Sequence, residues 1–238
     1  MELSSDHPLA LAVTAAIHTG DTDELRNLLA SHPGLAQATV FDHKRVRRTL
    51  LHIAADWPGH FPNGPITVAM LIDGGADPDV AAMIPGREAV AETPLHWAAS
   101  SDDVAVLDAL LDGGANIEAA GAVFTGGTPM SDAVVFAQWN AARRLLQRGA
   151  RTTLWQSAAL GLIDRVQESC AAEPPPTDRD VTNAFWNACR GGQRETAEYL
   201  LQRGADPHWI GHDHKTPMDV ARESGSESLI EWLRAQGV

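Results

Sequence analysis

The chain has 238 residues, 44% of them hydrophobic and 21% charged, which is a globular composition. Its 31 acidic residues against 18 basic ones give a formal charge of −13, the opposite of the basic surface that nucleic acid selects, so no nucleic-acid partner is expected. No apolar window reaches the roughly 18 to 20 residues that cross a bilayer, so no membrane partner is expected either.

From the N-terminus, residues 9–17 form the longest apolar run, and a helical pattern continues straight through them. Glu2 and Asp6 precede this run and no basic residue does, which argues against a secretory signal. The next segment opens on Thr49-Leu50-Leu51-His52-Ile53-Ala54-Ala55 and closes on MLIDGGAD at residues 70–77. A third opens on Thr93-Pro94-Leu95-His96-Trp97-Ala98-Ala99 and closes on LLDGGAN at residues 110–116. Thr128-Pro129-Met130 leads to LLQRGA at residues 145–150, and a shortened unit runs from Thr153 to Cys170. Beyond Pro174-Pro175-Pro176, which read as a stiff non-helical spacer, LLQRGAD returns at residues 200–206 and Thr216-Pro217-Met218 opens the last unit. The closing glycines Gly75, Gly114, Gly149, Gly204 and Gly237 lie 39, 35, 55 and 33 residues apart, and the interval of 55 must hold the shortened unit.

Apolar spacing within a unit is helical. Leu95, Ala98 and Ala99 share one face, and Val104, Leu107, Leu110 and Leu111 recur three and four residues apart, so two helices per unit are predicted. Threonine before proline suits an N-cap and first turn, and the closing glycine suits a left-handed C-cap. Ala54, Ala55, Ala98 and Ala99 let paired helices approach. Leu71, Leu110, Leu111, Leu145, Leu146, Leu200 and Leu201 are predicted to fill the layer between units. Cys170 and Cys189 are too few for a disulfide framework or a four-cysteine zinc site, which points to a reduced, cytoplasmic protein.

Threonine, proline, leucine, histidine, a variable residue and two alanines, followed by LLxxGAD at a period near 33, resemble the ankyrin repeat. The resemblance implies an all-α solenoid of about seven helix-turn-helix repeats with hairpin loops, in a single domain over residues 1–238. Approximate repeats are 8–46, 47–90, 91–125, 126–150, 151–180, 181–213 and 214–238. In the sixth, Trp186 takes the histidine position, and in the last Asp219 does. Each such unit buries its apolar face only against its neighbours.

The resemblance also implies a ligand surface on the concave face, built by residues just before each threonine and just after each alanine pair. Before the threonines stand Arg48, Glu92, Gly127 and Lys215; after the alanines stand Asp56 and Trp57, Ser100 and Ser101, and Val135 and Phe136, with Arg190, Gly191, Arg222 and Glu223 further on. The second unit departs most, because about five extra residues are inserted in the proline- and glycine-rich stretch 56–65. That stretch is predicted to be non-helical and to stand over the concave side. There Trp57 and Phe61 would wall an apolar pocket with Asp56 and His60 as its polar contacts, unless the two rings fold back over the loop's own backbone. Trp139, at the start of a second helix, could share a groove with Trp57 and Phe136. Trp97 is predicted to be core, as are Trp155, Trp186 and Trp232.

His52 and His96 occupy the motif position to which the family gives hydrogen bonds between repeats. His208, His212 and His214 beside Asp213 do not follow a compact ligand spacing, so no metal site is expected. An enzyme would need positioned acids and bases, and only His60, Asp56, His96 and Asp132, with Asp102 and Asp103 nearby, offer them. Asp102 and Asp103 are as readily helix caps. No phosphate loop, nucleophile elbow or His-Glu-x-x-His motif occurs. The expected function is a binding scaffold for a protein partner, centred on the second to fourth repeats and needing no cofactor. The alternatives are a small-molecule pocket or enzyme capped by the insert, and a homo-oligomer built through the tryptophan-rich units.

Overall fold

The computed structural model describes residues 1–238 as two compact units, Met1–Ala150 and Arg151–Val238. Fourteen α-helices carry the fold, with three short strands.

The first unit holds α1 (Pro8–Thr19), α2 (Thr22–Ser31), α3 (Leu50–Ala55), α4 (Gly64–Asp73), α5 (Pro94–Ser100), α6 (Val104–Asp112), α7 (Pro129–Val135) and α8 (Trp139–Gln147). Successive helices pack in pairs, α1 with α2, α3 with α4, α5 with α6 and α7 with α8. The pairs then stack through their first helices (α1, α3, α5, α7) and through their second (α2, α4, α6, α8). Buried alanines such as Ala98 and Ala99 allow the close approach of the first helices. Leu71, Leu110 and Leu145, none of them exposed, fill the layer between second helices, each contributing about 2 kcal/mol of burial. The second leucine of each LL pair departs from prediction. Leu111 and Leu146 are only half-buried, because a residue one position on is turned by about 100° toward the helix rim.

Threonine stands at the N-cap of α3, α5 and α7, whereas His7 caps α1. Thr49 and Thr93 each form a capping box with the histidine three residues on. Helices α4, α6 and α8 are each followed by a left-handed glycine, as at Gly114 (φ 94°), where a side chain would be strained against its own carbonyl.

The fold is not purely helical. Strands β1 (Glu2–Ser4), β2 (Thr39–Phe41) and β3 (Arg47–Thr49) form a sheet, β1 parallel to β2 with Leu3 opposite Val40, and β2 antiparallel to β3 with Val40 opposite Arg48. The ladder continues across hairpins. Arg47 and Met83 exchange two backbone hydrogen bonds of 2.9 Å, and the Ala82 and Ala91 amides donate to the Glu92 and Gly121 carbonyls. Three-residue strands are too short to leave a period of two in the sequence, which is why the all-α expectation missed them.

The second unit holds α9 (Leu154–Ala159), α10 (Ile163–Cys170), α11 (Asp178–Arg190), α12 (Arg194–Gln202), α13 (Pro217–Ser224) and α14 (Glu227–Ala235). It repeats the pairing: α11 packs between α9 and α13, and α12 lies beside α10 and α14. Helix α11 begins before the predicted unit start at 181, because Thr177 caps it through a box with Asp180. Phe185 and Trp186 sit in its core, and the Trp186 indole N–H donates to the Lys215 carbonyl at 2.9 Å. Trp155 and Trp232 are half-buried rather than core. The residues between α10 and α11, including the three prolines, are non-helical. The His212 ring lies edge-on to Trp186 and Trp209.

Candidate functional site

The motif histidines set the hairpins from which the surface residues project. A carbonyl oxygen can only accept, so His52 Nε2 must donate to the Glu92 carbonyl at 3.0 Å; its Nδ1 then accepts the Thr49 amide at 3.2 Å. His96 repeats the arrangement between the Thr93 amide and the Gly127 carbonyl, at 3.1 and 3.3 Å. Only the neutral imidazole satisfies both partners. Burial accordingly pulls each histidine down to about 4. His96 is thereby a cross-brace between hairpins, with both ring nitrogens engaged.

The insert of the second repeat is clamped on three sides. Asp56 pairs with Arg48 at 2.9 Å, both half-buried, and also accepts the Trp57 amide. The His60 amide donates to Asp103 at 2.6 Å, and Asn63 donates to the Gly20 carbonyl at 2.9 Å. Gly20 meets the Pro62 carbonyl so closely that a Cβ there would collide with it. The non-helical stretch is shorter than predicted, since Gly64 and Pro65 already belong to α4, where proline suits the first turn.

Phe61 stacks on His18 at 4.3 Å, whereas Trp57 stands 80% exposed, so the two rings have different surroundings. The His60 ring lies 4.0 Å from Asp103, which also caps α6 by accepting the Val106 amide. Among the proposed acid-base residues, Asp56 is thus engaged by Arg48, His60 by Asp103 and His96 by its two hairpins. Asp132 is buried facing Glu92.

Glu92 and Trp97 form a second locus. Glu92 accepts the Val123 amide at 3.2 Å and the Trp97 indole N–H at 3.3 Å. Trp97 is half-buried and edge-on to His52 at 4.9 Å, so it is a surface wall and not the core residue predicted for its slot. Asp132, 1% exposed, accepts no hydrogen bond; its protonated carboxyl instead donates to that of Glu92. Burial first, and then the Glu92 charge, pushes its carboxyl up to about 8, and burial raises that of Glu92 as well.

Phe136, 42% exposed, lies one helical turn beyond Asp132 and 5.8 Å from Phe124, which is 69% exposed. Sequence reading passed over Phe124; its signal was a lone phenylalanine in a glycine-flanked hairpin. Trp139 is half-buried at the start of α8, where Gln138 donates to the Ser100 carbonyl. Ser101 is a correction: it is buried, packed beneath the insert at Gly59.

A third locus, away from these residues, is the cavity of about 330 Å³ lined by Ala36, Thr39, Thr49, Ala76, Asp77 and Val80. It brings in none of the predicted site residues.

No helix is long and apolar enough to cross a membrane. The Ankyrin repeat family model matches residues 47–82 and 92–122, the segments that carry the two capping-box histidines. A stretch of 50 residues, 21% of the chain, is 36% identical to the Ankyrin repeat and KH domain-containing protein mask-1 of Caenorhabditis elegans. It spans only 2% of that protein's length. With the period, the capping boxes and the paired helices already in place, these matches show that the chain carries ankyrin repeats over residues 47–82 and 92–122.

Proposed function

We propose that the chain is a binding scaffold that recognises a partner protein on the concave face of the second to fourth repeats. Its seven helix pairs are read as seven ankyrin-type repeats, four in the first unit and three in the second, with the two matched segments as the most regular members. Ankyrin repeats generally mediate protein–protein interaction, and the fold itself supplies no chemistry.

The observation that carries this reading is Trp57. An indole 80% exposed, on a loop whose backbone is tied down at Asp56, His60 and Asn63, is a rigid aromatic anchor left without an intramolecular role. Anchors of this kind dominate interface energetics, and a clamped loop lowers the entropy lost on binding. Arg48 and Glu92, with Ser100, Phe136 and Trp139, extend the surface with mixed polar and aromatic character suited to a protein partner.

The test is affinity capture with the wild-type chain, Trp57→Ala and Asp112→Ala, the last a substitution on the second-helix side, where Asp112 pairs with Arg148. A protein retained by the wild type and Asp112→Ala but lost with Trp57→Ala is expected. Equal retention by all three, or no retained protein, would overturn the reading.

A further inference from the structure

Asp77, Asn116 and Asp206 each follow the Gly-Ala step behind a second helix, α4, α6 and α12 in turn. The Asn116 N–H donates to the Asp79 carboxylate at 2.8 Å, and the Asp206 N–H donates to the Thr182 hydroxyl at 3.1 Å. The Asp77 N–H, at the same place in its repeat, donates to no group of the protein. The kind of acceptor follows the side chain beside it. Neutral Asn116 has a carboxylate, whereas Asp206, itself an acid, has an uncharged hydroxyl, because two carboxylates side by side repel. An acceptor for the Asp77 N–H should therefore be an uncharged oxygen.

Asp77 lines the cavity of about 330 Å³, a volume at the lower end of small-molecule sites. Ala36, Ala76 and Val80 give it apolar surface, and Thr39 and Thr49, cross-strand partners in β2 and β3, line it from the sheet. The Thr49 hydroxyl is already bonded to His52. The side chains of Gln37 and Thr39, also in the lining, make no hydrogen bond within the protein. An unbonded backbone donor thus meets apolar surface and two unbonded polar side chains in one concavity, the combination that fixes a small ligand by a few polar contacts on an apolar body.

We propose that this cavity binds a small uncharged organic molecule, which presents an amide or hydroxyl oxygen to the Asp77 N–H and an apolar body to Ala36, Ala76 and Val80. Gln37 and Thr39 serve the remaining polar atoms of the ligand. The Asp77 carboxylate, which accepts the Asp79 amide at 2.9 Å, selects against an anion.

The test is a titration of the 15N-labelled full chain with benzamide, benzyl alcohol and benzoate, which share one apolar ring and differ in the polar head, followed at the Asp77 amide resonance. A saturable shift with benzamide or benzyl alcohol is expected, largest at residues 36–39 and 75–80, with benzoate about tenfold weaker. Asp77→Asn gives this position the side chain that Asn116 has beside a carboxylate, and there benzoate should gain about tenfold relative to benzamide. If that variant does not fold, the wild-type series decides alone. Absence of a saturable shift with both neutral probes, a response centred on other residues, benzoate binding the wild type as tightly as benzamide, or an unchanged preference in folded Asp77→Asn would overturn the proposal.

Discussion

Asp102, two residues past the end of α5, accepts the backbone N–H of Ala141 in the next helix pair at 2.7 Å, and the Asn140 amide at 2.8 Å. Gln138, at the N-cap of α8, makes no side-chain cap of its own, so α8 is capped from the neighbouring repeat. Asp102 adopts φ 55°, a left-handed conformation that aspartate tolerates better than most residues. Replacing it with alanine should remove the cap while retaining the backbone strain, at a cost of about 1–2 kcal/mol. Asp102→Gly should cost less, because it loses the cap but relieves the strain. Urea denaturation of the three proteins checks the order.

The buried histidines and Asp132 give stability a peaked pH profile. His52 and His96 titrate near 6.5 when unfolded and at about 4 when folded. Their contribution is complete above about 6.5 and is lost as pH falls toward 4, by roughly 3 kcal/mol each. Asp132 acts in the opposite sense, since its carboxyl moves from 3.8 up to about 8 on folding. Its contribution is complete below 3.8 and is lost as pH rises toward 8. Two histidines outweigh one acid below pH 6.5, and the acid acts alone above it, so these groups place the maximum near 6.5. Asp132→Asn should abolish the alkaline decline, at most about 1.4 kcal/mol per pH unit, and leave the acid limb in place. Urea melts at pH 4.5, 6.5 and 8 would show both limbs.

Two tryptophans should separate stability from binding. Trp186 is 2% exposed and hydrogen-bonded, and Trp186→Ala should destabilise by about 3–5 kcal/mol. Trp57→Ala should change stability by less than about 0.5 kcal/mol while weakening partner binding. Thermal melts beside the capture experiment make the comparison.

Gly20 holds the insert through its φ of 69° and its close approach to the Pro62 carbonyl. Gly20→Ala combines left-handed strain with that collision and should cost at least about 1–2 kcal/mol. The effect should be local first: amide exchange should accelerate at Gly59 and His60, whose N–H groups are bonded within and beneath the loop, before α5 is affected. Uniform acceleration across the first unit would contradict a local clamp.

The repeat itself was legible in the sequence. Thr93, His96, Leu110 and Gly114 each serve a need met within one unit or with its immediate neighbour, a cap, a cross-brace, a buried side chain or a left-handed turn, and such needs recur at a fixed period. Periodicity could not say which residues would be left over. Trp97 has the same slot as an inward residue, yet it turns to the surface because Glu92 accepts its indole N–H. Phe61 and Trp57 share one loop, yet His18 takes the first ring and nothing takes the second. Asp132 reads as one of several candidate acids until folding buries it against the carboxyl of Glu92, 40 positions away in the chain. Local rules decide helices and caps because their partners lie a few residues apart. The fate of a charge or an exposed ring depends on groups brought from other repeats, and only the tertiary structure brings them.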